Sequence, residues 1–162
     1  MSLRGNWMER INDVLIEFLS EAYDGPSHQY TWFINNDTES GILGTIKKLK
    51  AEEASTPIIE NGTTIAAHVE HLRWSLNKTN SLLYGENPTM NWSESWRVRQ
   101  VDSEGWMMLI EQLRREYNRF VQSLSSGVSL ASDEHLKDVL ALIPHAAYHL
   151  GAIRQMGLII KR

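Results

Sequence analysis

The chain is 162 residues long, carries a formal net charge of −4, and is 42% hydrophobic and 22% charged. These values are typical of one ordered globular domain, spanning residues 1–162. Because the chain contains no cysteine, disulfide scaffolds, thiolate metal sites and cysteine nucleophiles are excluded. Its mild acidity argues against nucleic-acid binding. With neither a long apolar run nor an apolar leader, the sequence predicts a cytoplasmic protein with no membrane span.

Apolar residues at helical spacing predict four long helices and one short helix, and no alternating run suggests a strand. The long segments are residues 7–22, 63–84, 103–124 and 133–160. The short helix is predicted over residues 39–49, between the first and second of them. Thr63 or Thr64 can cap the second long helix, and Gly85 can end it. The predicted fold is therefore all-α, a four-helix bundle with a short extra helix between helices 1 and 2.

Pro144 lies inside the fourth long segment, where its missing N–H and its ring predict a kink. The apolar stripe before Pro144 and the side chains of His145 and His149 after it lie about a third of a turn apart. A kink at this point would direct the second half of the helix toward a site.

The motifs of several enzyme classes are missing. The sequence has no Gly-rich phosphate loop, no G-x-S-x-G elbow and no H-E-x-x-H pair. None of its six histidines follows a glutamate by three residues, which argues against carboxylate di-iron chemistry. Histidines are the remaining candidates for a functional site.

His145 and His149 are spaced i, i+4, so both imidazoles can reach one metal ion from one helix face. A third ligand would come from the second long helix, which offers His68 and His71. His68 lies about 70° from the centre of that helix's apolar stripe and His71 about 130°. This phase favours His68, His145 and His149 as the metal ligands. It places His71 closer to solvent and outside the ligand set, either as an exposed residue or as one that contacts a ligand.

The run from His145 to Gln155, HAAYHLGAIRQ, resembles the last-helix signature of the DinB-like (damage-inducible) superfamily of small metalloproteins. The segment TIAAHVEHL, which starts at Thr64, resembles that family's second-helix motif, and the resemblance covers residues 5–160. It implies an up-down-down-up bundle in which three histidines hold one divalent ion, with zinc or nickel favoured. It also implies a homodimer.

Two functions from different classes stay open at this point. The resemblance implies a metal-dependent enzyme acting on a small molecule, as a transferase or isomerase that uses a low-molecular-weight thiol, or as a hydrolase. The alternative is a non-catalytic, stress-associated dimeric module that binds metal. A cavity at the metal would favour the enzyme, and a sealed site would favour the module.

Several other residues have both a functional and a structural interpretation. Tyr148 and Arg154 could bind substrate, or could be a packing tyrosine and a solvated arginine. Trp92 and Trp96 could cover a pocket or simply pack. The nearest carboxylates, Glu70 and Glu111, are expected to be surface charges.

Trp74 lies about 170° from the centre of the apolar stripe on its helix, so it is predicted to face away from the bundle. A large aromatic side chain is seldom left in water. Its cover could be a second subunit or one of the long connections, for example the aromatic stretch over residues 29–35. The resemblance favours the second subunit, and with it a homodimer.

Overall fold

The computed structural model describes residues 3–27, 30–128, 130 and 132–161, with side chains from Arg10 onward. Its helices are α1 (Leu3–Tyr23), α2 (Ile42–Lys47), α3 (Ala51–Ser55), α4 (Ile65–Leu83), a 3₁₀ helix (Trp92–Trp96), α5 (Ser103–Ser125) and α6 (Asp133–Ile160). No strand occurs in these residues, which confirms the all-α prediction. None of these helices combines the length and apolar character that a bilayer crossing requires.

The four long helices α1, α4, α5 and α6 follow the four predicted segments, but the predicted short helix over residues 39–49 is divided into α2 and α3. It starts late because Glu39 has a positive φ of 57°, which no α-helix allows. Gly41 then packs against the end of α1. A Cβ at Gly41 would lie 2.6 Å from the Tyr23 carbonyl oxygen, so only glycine fits this contact.

Side-chain caps fix the starts of the long helices after α1. The Thr64 hydroxyl accepts a hydrogen bond from a backbone N–H in the first turn of α4, as the sequence predicts. Asp102 and Ser132 do the same for α5 and α6. Gly85, with a φ of 77°, follows the end of α4, which is the position where glycine is favoured.

In the described part of the chain, each long helix packs against two of the others, α4 against α5 and α6, and α1 against the same pair. Their apolar faces form one buried cluster that includes Leu15, Leu19, Leu72, Leu76, Leu113, Phe120 and Leu150. Helix α4 is further covered by α3 and by the 3₁₀ helix. Residues 65–72 are consequently all buried, and the first two turns of α4 have no solvent face.

Helix α6 continues as one helix from Asp133 to Ile160 across Pro144. Pro144 is exposed, whereas Ala146 and His149 are buried. The proline ring therefore lies on the outer side of α6, opposite the side that carries the second histidine. The kink at Pro144 stays a prediction.

The connection after α1 is held by a buried carboxylate. Glu21 is only 6% exposed, and its carboxylate oxygens accept hydrogen bonds of 2.8–3.0 Å from the backbone N–H groups of Trp32, Phe33 and Ile34. The rings of Trp32 and Phe33 also contact Phe18 of α1. This connection therefore packs on α1.

Trp74 is covered by a connection of its own chain, which is one of the two covers that the sequence leaves open. Trp74 is 5% exposed, and its ring centroid lies 5.1 Å from that of Trp92 in the 3₁₀ helix. The cover therefore comes from a connection of the same chain, but from residues 92–96 and not from residues 29–35. The homodimer prediction thereby loses its argument from Trp74.

Candidate metal centre

Four histidines meet between α4 and α6, two from each helix. One ring nitrogen from each of His71, His145 and His149 lies within 4.8 Å of the other two. Imidazole nitrogen is a common ligand for zinc and other transition-metal ions. These three side chains could hold a metal ion.

The spacing of the two α6 histidines fits a shared ion. The Nε2 atoms of His145 and His149 are 3.0 Å apart. Two nitrogens that each lie about 2.1 Å from one ion are separated by roughly 3.0–3.4 Å. The span of 4.8 Å across the whole group is larger, so metal binding would draw His71 toward the other two rings.

A hydrogen bond to Ser95 sets the tautomer of His71. The Ser95 hydroxyl donates its single proton to the Trp92 carbonyl oxygen at 2.7 Å, so it can only accept from His71 Nδ1, which also lies 2.7 Å away. His71 then carries its proton on Nδ1, and its Nε2 lone pair is free. A metal-binding histidine needs this arrangement, with one nitrogen as donor and the other as ligand.

His68, the predicted third ligand, lies on the other side of the His149 ring. Its Nδ1 is 2.7 Å from Nδ1 of His149, whereas His149 directs Nε2 toward His145. The geometry favours His71 in the ligand position for which the sequence predicts His68, and His68 as the ligand stays a prediction. The placement of His71 toward solvent is wrong, because His71 is only 5% exposed.

Burial keeps the four imidazoles neutral. Desolvation lowers the pKa of His68 and of His145. Desolvation, with repulsion from His145 and His68, lowers the pKa of His71 to about 4. Desolvation, with repulsion from the other three rings, lowers that of His149 to about 3. Neutral imidazole is the form that binds a metal ion, so the cluster is in its ligand state at neutral pH.

A cavity of about 710 Å³ adjoins the histidines, and Trp92 and Trp96 are among the residues that line it. Trp96 stacks on the His71 ring, with the centroids 4.2 Å apart and the planes at 19°. The cavity reaches the surface at Trp92 and Tyr148, which are 56% and 72% exposed. The histidine cluster is therefore accessible to a small molecule.

Tyr148 lines this cavity, with its ring centroid 5.1 Å from that of His149. Arg154, the other residue that could bind substrate, does not line it. Its guanidinium donates to the Ser40 carbonyl oxygen and lines a separate cavity beside α2. Of the two residues, only Tyr148 can contact a ligand beside the histidines.

The carboxylates differ from the prediction in two ways. Glu70 is buried and paired with Arg73 at 2.7 Å, so its description as a surface charge is wrong, whereas Glu111 is exposed as expected. Asp138, which sequence reasoning missed, lines the cavity. Its signal was the spacing of seven residues before His145, because two turns of helix bring side chains back to one face.

Comparison of the chain with family models, curated proteins and solved structures finds no match in any of the three. The resemblance of the two histidine segments to the DinB-like superfamily stays a prediction. The functional argument therefore starts from the histidine cluster and the cavity beside it.

Proposed function

We propose that this chain is a metal-dependent enzyme of the DinB-like type, an up-down-down-up four-helix bundle that acts on a small molecule. His71, His145 and His149 are its ligands for one divalent ion, with zinc or nickel favoured. The observation that carries the proposal is the approach of the three ring nitrogens to within 4.8 Å at the wall of a cavity of about 710 Å³.

A divalent ion held by three neutral imidazoles supplies a Lewis acid that activates water or a thiol. Since the chain has no cysteine, a thiol would enter as a cosubstrate. The residues around the cluster prepare it for this role. Ser95 holds His71 in the Nδ1–H tautomer. The Nδ1 atom of His68 likewise contacts the Nδ1 atom of His149.

The aromatic side chains complete the site. Trp96 stacks on His71 and excludes water from that face of the ligand ring. Tyr148 lines the cavity beside His149, and its hydroxyl can donate a hydrogen bond to a substrate oxygen.

The cavity favours an enzyme over a non-catalytic metal-binding module. A structural metal site is normally closed by protein ligands, whereas a catalytic site keeps a position for water or substrate. Here three ligands are grouped beside a cavity that reaches the surface at Trp92 and Tyr148. A small molecule can therefore reach the ligand cluster.

Cobalt(II) loading tests this proposal, because the visible absorption of cobalt reports its coordination. The cobalt-loaded protein should show a spectrum that shifts and saturates when azide or 2-mercaptoethanol is added. The variant His145→Ala, which lacks one ligand, should take up no stoichiometric cobalt. A cobalt spectrum that azide and thiol leave unchanged would overturn the catalytic proposal and support the closed, non-catalytic module.

A further inference from the structure

The cavity beside the histidines has an aromatic wall. Trp74, Trp92, Trp96 and Tyr148 line it. Trp96 stacks on His71 and Trp74 packs on Trp92, so the exposed rings of Trp92 and Tyr148 are the ones that offer a surface for stacking on a ligand ring. No lysine or arginine is among its described lining residues. Apart from the histidines, Asp138 supplies the one charged side chain among these described lining residues. The wall therefore offers an aromatic surface and one negative charge.

A second cavity, beside α2, has a different character. Its lining includes Lys48, Arg154 and Lys161, any of which can pair with a carboxylate or phosphate. A ligand with a negative charge thus finds cations in the lining of the α2 cavity and none in the described lining of the aromatic cavity, where the ammonium of Lys78 lies beside Trp74. The lack of lysine and arginine therefore distinguishes the described lining of the cavity beside the histidines from that of the α2 cavity.

Asp138 lies at a defined distance from the histidines. It precedes His145 by seven residues on α6, which corresponds to about 10 Å along the helix axis. Ala141 and Leu142, which lie between them in sequence, also line the cavity. The lining of α6 therefore runs from the metal ligands, past apolar side chains, to a carboxylate.

We propose that the substrate of this site is a cationic amine on a flat aromatic body, with the ring against Trp92 and Tyr148 and the ammonium group at Asp138. The inference rests on the proposed function in taking this cavity as the substrate site. A protonated amine is attracted both by a carboxylate and by the faces of indole and phenol rings. The Lys78 ammonium lies 5.6 Å from the Trp74 ring centroid, within the distance of a cation–π contact.

The position of Asp138 also agrees with the charge of a bound metal. A divalent ion at the histidines would repel an ammonium group placed beside it, and the separation of about 10 Å along α6 leaves room for an aromatic ring between the two.

Three probes of similar size separate the contribution of charge: 2-phenylethylamine, 2-phenylethanol and 3-phenylpropionate. The protein is kept metal-free with a chelator, and binding is followed through the indole N–H signals in two-dimensional NMR. A Trp92→Phe variant assigns the Trp92 signal. The amine should shift that signal and bind at least about fivefold more tightly than the carboxylate, with the alcohol between them.

Two variants locate the effect. Asp138→Asn should bring the affinity for the amine down to that for the alcohol. The matched control Glu134→Gln, which changes an exposed carboxylate one turn earlier on α6, should leave the order unchanged. Equal binding of the carboxylate and the amine, or no shift of the Trp92 signal, would overturn the inference. Because the probes are measured without metal, this result is independent of whether the metal centre forms.

Discussion

The Nδ1 atoms of His68 and His149 lie 2.7 Å apart, so one of these two imidazoles holds a proton that it donates to the other. Because His149 directs Nε2 toward His145, a metal ion would be bound through Nε2, and the Nδ1 proton would be donated to His68. A hydrogen bond of this kind orients a ligand ring and increases its basicity. His68 therefore acts on the metal centre as a positioning residue for His149.

Ser95→Ala should weaken metal binding without removing it. The variant loses the hydroxyl that accepts from His71 Nδ1, and loss of such a partner costs about 10–100-fold in metal affinity. Zinc competition with a chromophoric chelator measures the change. Ser93→Ala, on the exposed side of the same 3₁₀ helix, is the matched control and should bind like the original chain. Equal affinities for both variants would show that Ser95 does not prepare His71.

The metal-free protein should lose stability as the pH falls below about 6.5. Burial lowers the pKa of His149 to about 3 and that of His71 to about 4, so the unfolded chain binds protons that the folded chain does not. The free energy of unfolding is therefore unaffected by these groups above the unfolded pKa and decreases as the pH is lowered below it.

Thermal unfolding in chelator between pH 7.5 and pH 5.5 measures this dependence. His149→Leu removes the most strongly shifted group and should give a flatter profile than the original chain. His135→Gln, at the start of α6 and outside the cluster, is the control and should not flatten it. A profile that His149→Leu leaves as steep as before would contradict the assignment of buried, neutral rings.

Glu21→Gln should destabilise the fold away from the metal site. The carboxylate accepts hydrogen bonds from the backbone N–H groups of Trp32, Phe33 and Ile34. In glutamine, an NH2 group replaces one of the two accepting oxygens and cannot accept from these N–H groups. We expect a loss of about 2 kcal/mol in the free energy of unfolding, measured with urea. Glu17→Gln, which affects only the indole N–H of Trp32, should cost about 1 kcal/mol or less. Equal losses would show that Glu21 has no special role.

The bounds of the long helices could be predicted from the sequence because local rules determine them. Apolar spacing predicted residues 133–160, which match α6 (Asp133–Ile160), and the hydroxyl of Thr64 marked the start of α4. The pairing of His145 with His149 followed from helix geometry alone. These features depend on residues within a few turns of one another.

The burial of the side chains of His71 and Trp74 could not be predicted in this way. The phase argument assumed that α4 has one inward face and one solvent face, as a surface helix does. The 3₁₀ helix Trp92–Trp96 covers the second face, so His71 and Trp74 are buried on the side that the pattern assigned to water. Nothing in the apolar spacing of α4 indicates that a connection some ten residues further on folds back over it.

Metal stoichiometry in two single variants, His71→Ala and His68→Ala, tests the central claim most directly. Each protein is loaded with zinc, freed of excess ion and analysed for metal per chain, with circular dichroism to check that the helices are kept. The account predicts that His71→Ala retains well under one ion per chain. His68→Ala should retain one ion, bound about 10–100-fold more weakly. The reverse result, with one ion retained in His71→Ala and none in His68→Ala, would contradict the account and make His68 the ligand.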